Sequence, residues 1–286
     1  MKQAVLITAY KNPDHLLRIV EQFDESFRFY IHLDKKSRLA TDDLRRLKND
    51  SKIHYLSRHY TTNWGGTAHL HCILHLMKKA LQDNESEYLH LISGHDFPIK
   101  SPAYFKDFLS RHNGTQFIEV FPMPAQVWEN GGLDRLKYFH LNDWFDAKGK
   151  RAMVLKKFLN LQKKLRLSRN IDFKGMALYG GSTWWSLSKA CCRHVEEFLN
   201  DNSWFLKKFN HTFCAEEILF QTIIMNSPFK NAITNSNLRH IVWEFRHGNI
   251  PAVLDERDLE TIKNSADLFA RRFDYPHSEP LLKHLA

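Results

Sequence analysis

Apolar residues come in short blocks over the first hundred residues, and the blocks alternate between two periods. Residues 4–8 are a continuous apolar run, which suits a strand covered on both faces. Pro13 then opens a segment with Leu16, Leu17, Ile19, Val20 and Phe23 at helical spacing. Residues 27–33 read as a second buried strand, ending in His32-Leu33-Asp34. Thr41-Asp42-Asp43 opens a short polar helix, and residues 53–56 form a third strand. Thr67 is placed as the cap of a long helix carrying Leu70, Ile73, Leu74, Leu76, Met77 and Leu81. A fourth strand, 88–92, runs into Ser93-Gly94-His95-Asp96. Strand–helix alternation at this pitch predicts a parallel sheet with helices on both faces. Ligands of such sheets sit at the C-terminal ends of the strands, which selects Asp34 and the 94–96 turn.

The second half is less regular. Strands are expected at 117–121, 182–188 and 238–242, and helices at 190–199 and 216–225. Between them, residues 148–169 place Val154, Phe158, Leu161 and Leu165 at helical spacing among nine Lys and Arg, with no Asp or Glu. No repeat and no shift in composition marks a boundary, so a single α/β domain over 1–286 is expected.

Composition narrows the class. With 11 Gly and 9 Pro in 286 residues, collagen-like and linker-like chains are excluded. No apolar run reaches the roughly 18 residues of a membrane span. The N-terminus shows no signal-peptide pattern. Four cysteines without a CxxC pair fit a reduced, cytoplasmic compartment. The net charge is +9, from 41 Lys and Arg against 32 Asp and Glu. The nine cations of 148–169 equal that surplus, so the charge is a local feature. Three readings stand for it. One is a solvated helix. Another is a cationic segment on an anionic membrane at the inner face of the cell. A nucleic-acid-binding protein is the alternative from another class. Against it, the cations interleave with Leu, Val and Phe, and no nucleic-acid-binding motif accompanies them.

The chain has no GxGxxG, GxxxxGK[ST] or GxSxG, and no Asp-x-Asp. His71 and His75 have the spacing of two ligands on one helix face, but packed or surface histidines account for them as well. Asp96 suits either a ligand hydroxyl or a turn. Glu216 and Glu217 suit either a helix dipole or, for one of them, a general base. Trp184, Trp185 and Trp243 are large flat surfaces for a sugar or for a core. Arg271 and Arg272 suit a diphosphate or a solvated pair.

Taken in order, Ile31-His32-Leu33-Asp34, Trp64-Gly65-Gly66, Leu91 through Lys100, Gly181 through Ser188, Ala215-Glu216-Glu217 and Leu268 through Asp274 resemble one family. It is that of the core 2/I-branching β-1,6-N-acetylglucosaminyltransferases and peptide O-xylosyltransferases, glycosyltransferase family 14, and the chain looks like a compact bacterial-type member. The resemblance implies a GT-A-type, Rossmann-like, twisted and mostly parallel sheet with flanking helices. Residues 1–110 would be a nucleotide-binding half and 111–286 an acceptor-binding and catalytic half. It implies inverting transfer from a UDP-sugar to a glycan or glycolipid hydroxyl, without a divalent metal. The donor would be UDP-N-acetylglucosamine or, alternatively, UDP-xylose. A metal-dependent transferase using Asp96 or the histidines is the rival within the class.

Residue by residue, the resemblance puts the catalytic base on Glu217. The nucleotide-sugar contacts fall on Asp34, Asp96, Arg271 and Arg272, with Arg246 the nearest candidate for a second diphosphate arginine. The acceptor contacts fall on Glu119, Arg135 and Trp243.

Overall fold

A computed structural model describes residues 2–147, 149 and 151–285. Its elements, in order, are β1 (Lys2–Ala9), α1 (Pro13–Glu21), β2 (Phe27–Leu33), α2 (Thr41–Asn49), β3 (Ile53–Ser57), α3 (Thr67–Leu81), β4 (Ser86–Ser93), β5 (Asp96–Pro98), α4 (Pro102–Arg111), β6 (Gln116–Ile118), β7 (Phe121–Pro122) and α5 (Asp134–Lys137). There follow α6 (Ala152–Lys164), β8 (Tyr179–Gly180), β9 (Trp185–Ser188), α7 (Lys189–Asp201), α8 (Ser203–Lys208), α9 (Leu219–Met225), β10 (Ile233–Thr234), β11 (Arg239–Ile241), α10 (Leu259–Asn264), β12 (Phe269–Arg271) and α11 (Glu279–Leu285).

The main sheet has seven strands in the order β10-β6-β9-β4-β1-β2-β3. β1 lies between β2 and β4 and is parallel to both, with Leu6 opposite Tyr30 on one side and Leu91 on the other. The expected parallel sheet therefore holds for β3-β2-β1-β4. It fails beyond β4, because β9 runs antiparallel to both β4 and β6. The chain enters β9 from a long excursion rather than from a crossover helix, and either direction is open to it. The fold is thus α/β with a mixed, mostly parallel sheet and flanking helices.

Each face of this sheet carries its own core. On one, Leu70, Ile73 and Met77 of α3 pack with Trp185 and with Phe220 of α9. On the other, Leu16 and Val20 of α1 pack with Phe105 of α4 and Phe269 of β12. A smaller sheet, β11-β12-β5, joins the large one through Arg239. Its buried guanidinium donates to the carbonyls of Leu91 (2.7 Å) and Trp185 (3.0 Å).

Helix starts follow local chemistry where the cap is local. Ser101 accepts from Tyr104 N at α4, and Ser188 accepts from Cys191 N at α7. At α3 the expected cap is corrected. Gly66 is the N-cap, and Thr67 is buried in the first turn with its hydroxyl toward Phe209 O. The side-chain cap comes from Asp143, whose Oδ1 accepts from Ala68 N at 2.8 Å. A cap from 75 residues downstream leaves no local signal.

Other boundaries moved as well. The strand expected over 117–121 is β6 followed by a separate β7, which pairs with β8. The helix expected over 216–225 is a 3-10 turn, Ala215–Glu217, broken from α9 at Ile218. The basic helix is α6, within 148–169; Lys148 and Lys150 lie outside the described residues. Among the described residues no helix is long and apolar enough to cross a membrane. All four cysteines are buried, and none is joined in a disulfide among the described residues.

Candidate active site

The C-terminal ends of β1, β2 and β4 share one edge of the sheet, where Asp34 N donates to Ala9 O and Gly94 N to Thr8 O. Asp34, just past β2, is buried. Its Oδ1 accepts from Lys36 N (2.7 Å) and its Oδ2 from Thr62 Oγ1 (2.7 Å) and Thr62 N (3.2 Å). It thereby fixes the loop leading to Trp64-Gly65-Gly66. Gly65 is required there: its φ is +76°, and a Cβ would meet the Phe213 ring at 2.3 Å. Gly65 O in turn accepts from Cys214 N, which anchors the 3-10 turn carrying both glutamates.

The two acids differ. Glu216 is buried, and its Oε1 lies 3.0 Å from His69 Nδ1. His69 Nε2 lies 3.2 Å from the Thr8 hydroxyl. With Nδ1–H donating to the carboxylate, Nε2 is left to accept from Thr8. The other oxygen, Oε2, has no partner among the described residues.

Glu217 is partly open. Its Oε2 accepts from Arg135 Nη1 at 2.5 Å, and its Oε1 lies 3.4 Å from the Thr183 hydroxyl. Burial pushes its pKa up, Arg135 pulls it down, and Glu216 beside it pushes it up again. Arg135 is itself fixed by stacking, with its guanidinium 3.7 Å from the centre of the Trp128 ring. Gly181 N donates to Glu217 O at 2.9 Å. A Cβ at Gly181 would collide with the Glu119 carbonyl, so the glycine permits the approach of these two strands of chain.

Asp96, expected as a nucleotide-sugar contact, meets Ser93 and Arg271 of the same chain. It is wholly buried, and its Oδ2 accepts from the Ser93 hydroxyl (2.6 Å) and from Ser93 N. Its Oδ1 faces Arg271 Nε at 3.5 Å. Arg271, at the end of β12, spreads its guanidinium over the Trp184 ring, 4.2 Å from its centre. Burial lowers its pKa, and the charges of Asp96 and Glu217 act on it in the opposite sense. Arg271 and the candidate base therefore share one local field.

Arg272 enters a second cluster at the end of β1. Its Nη2 lies 3.1 Å from His95 Nε2, 3.3 Å from Asp274 Oδ2 and 3.4 Å from Tyr10 OH. Lys11 Nζ meets both Asp274 oxygens at 2.8 Å. Burial and the neighbouring arginine push the His95 pKa down to about 3, so the ring is neutral.

Three expected residues direct their side chains to other partners or to solvent. Arg246 donates to Asp258 Oδ2 (2.6 Å), Asp258 Oδ1 (3.1 Å) and Glu244 Oε1, so all its nitrogens face carboxylates. Trp243 is 74% exposed and stacks on no other ring among the described residues. Glu119 touches the site through its backbone, while its carboxylate, raised in pKa by burial, accepts from Asn237 Nδ2 at 3.3 Å. His71 and His75 converge on no metal-binding group of three among the described residues. His75 instead meets Tyr55 OH at 2.8 Å.

Sequence reasoning missed Tyr10, Lys11, Thr62, Thr183 and the role of His69. Position just after β1 is the one signal that could have found Tyr10 and Lys11.

A buried Glu216, a partly open Glu217 and two arginines thus gather near the strand-end edge of the α/β sheet. A family model described as Core-2/I-Branching enzyme matches residues 4–263. The chain belongs to that family, which is one of glycosyltransferases. Xylosyltransferase 1 of Mus musculus is 26% identical over 267 residues, covering 86% of this chain and 26% of that protein. Xylosyltransferase 1 of Homo sapiens is 25% identical over 278 residues, covering 90% and 27%. Xylosyltransferase oxt of Drosophila melanogaster is 25% identical over 226 residues, covering 77% and 24%. The chain thus spans about a quarter of the length of these relatives. Among solved structures, S. aureus TarS 1-349 in complex with UDP is similar over 43% of this chain and 36% of that one, at 17% identity and a TM-score of 0.32.

Proposed function

We propose that this chain transfers a sugar from a UDP-sugar to a hydroxyl of a glycan acceptor by a single inverting displacement. The observation that carries the reading is Glu217, held by Arg135 and Thr183 within the field of Arg271. Glu217 takes the acceptor proton as that oxygen bonds to the anomeric carbon. The bond from that carbon to the diphosphate breaks on the opposite face, and UDP leaves with the electron pair. Arg271 and Arg272 stabilise the charge on the diphosphate, a task otherwise given to a divalent metal. Asp34 and Asp96 order the nucleotide side through Thr62 and Arg271. Arg135 and Glu119 border the acceptor side, with Trp243 offering a face for a sugar ring.

The donor is N-acetylglucosamine or xylose. The family resemblance supports the first and the names of the curated relatives support the second. UDP release from a panel of UDP-sugars separates them. Glu217→Gln tests the base: transfer is expected to fall by about 10²–10⁴ while UDP binding stays. A variant that keeps most of its activity would overturn the assignment. Activity abolished by EDTA and restored by Mn²⁺ would overturn metal independence.

A further inference from the structure

Helix α6 leaves part of its apolar face uncovered. Leu155 and Phe158 are half-buried on the side of Gln162, whose Oε1 accepts from Phe139 N (2.8 Å) and whose Nε2 donates to Phe139 O (2.9 Å). Lys163 Nζ pairs with Asp134 Oδ2 at 2.6 Å on the same side. Val154, Leu161 and Leu165, seven and four residues apart, form one stripe on the flank of the helix, roughly 60–100° around from Gln162, and each is about half exposed. Met153 (68%) and Leu167 (55%), near the two ends of the helix, are exposed as well, and so is Trp144 (66%) in the segment before it. An amphipathic helix packed on its own protein places such a stripe inward.

The charges around the stripe decide what covers it. Lys156, Lys157, Lys164 and Arg166 are exposed and, among the described residues, form no ion pair. No acid lies within 148–169. A second copy docked by twofold symmetry would set these cations against their own equivalents. Nucleic acid would meet leucine and valine at the centre of the face, where phosphate contacts are needed. An anionic bilayer satisfies both parts, taking the apolar stripe between its headgroups and the lysines against its phosphates.

We propose that α6, with Trp144 and Leu167, is a docking surface for an anionic lipid bilayer. The binding is interfacial and peripheral, and it involves no spanning segment. It is independent of the transfer reaction, so Glu217→Gln is expected to dock as the unaltered chain does.

The test is co-sedimentation with vesicles of phosphatidylglycerol and phosphatidylcholine, against vesicles of phosphatidylcholine alone. Binding is expected on the anionic vesicles and at least about tenfold weaker on the neutral ones. The triple change Lys156→Glu, Lys157→Glu and Lys164→Glu is expected to lower partitioning by more than about tenfold. Leu161→Asp with Leu165→Asp is expected to abolish it. All five positions are on the surface, and an unchanged thermal melt shows that the variants fold. The proposal is overturned if the chain fails to sediment with anionic vesicles, or binds both kinds equally. It is also overturned if the charge-reversed variant binds undiminished, or if Leu161→Asp instead dissolves a dimer seen by analytical ultracentrifugation.

Discussion

Arg135 and Glu217 meet at 2.5 Å through Nη1 and Oε2, although 82 residues separate them in the chain. The pair sets opposing forces on one carboxyl group. Removal from water favours the neutral acid, and the guanidinium favours the carboxylate. A general base must be ionised to accept a proton, so this contact governs the acidic limb of the rate profile.

Arg135→Gln removes the strongest influence that lowers the Glu217 pKa and leaves only the Thr183 hydroxyl of those named to oppose burial. The acidic limb of kcat/KM is expected to move to higher pH, with Arg135→Lys restoring part of the shift. A profile of kcat/KM against pH measures it. An unmoved limb, with only KM changed, would mean that Arg135 serves acceptor binding alone.

Glu216→Gln acts in the opposite sense. Glu216 raises the pKa of its neighbour, so neutralising it is expected to move the same limb to lower pH. The amide oxygen can still accept from His69, which keeps the 3.0 Å contact available. A shift toward higher pH in this variant contradicts the arrangement.

The arginines separate by role. Arg271→Met is expected to lower kcat by about 10²-fold, roughly 3 kcal/mol of leaving-group stabilisation. Arg246→Met is expected to leave kcat and UDP affinity in place. It should instead lower stability by about 1–3 kcal/mol, because Asp258 loses its partner. Parallel kinetics and denaturant melts decide between catalysis and architecture for each residue.

Acid is expected to weaken the fold before it protonates the carboxylates. Burial pushes the pKa of His90 down to about 3 and that of His32 to about 4. His90 is held neutral between Ser186 Oγ (2.8 Å) and Gln3 Oε1 (3.1 Å). Unfolded histidines take up protons near pH 6.5, whereas these stay neutral, so the unfolded chain binds more protons below that pH. Stability is present above about pH 6.5 and falls as pH drops toward 4, by at most about 1.4 kcal/mol per pH unit for each histidine. Urea melts across that range give the slope, and His90→Gln should flatten it. A slope that is level or reversed rules this out.

The sequence showed the fold best where its logic is local. The apolar runs of β1, β2 and β4 and the period of α1 and α3 lie in single windows, and the strand-end rule led to Asp34 and the 94–96 turn. What stayed hidden depends on partners far along the chain. Asp96 reads as a ligand contact, and the arginine that faces it arrives only with β12. Thr67 reads as a cap until Asp143 takes that place. Arg246 reads as the nearest candidate for a diphosphate, and its carboxylate partners Asp258 and Glu244 are not visible in its local window. The orientation of α6 was equally closed to periodicity, which gives the width of an apolar stripe and not the direction it faces.

Helix α5 is four residues long, and two adjacent side chains on it point to different neighbours. Asp134 reaches out to Lys163 of α6, and Arg135 reaches in to Glu217. A single turn of helix thus carries one ion pair to α6 and another to Glu217. The contact that seats the outer helix and the contact that holds the carboxylate are set by neighbouring residues of one short segment.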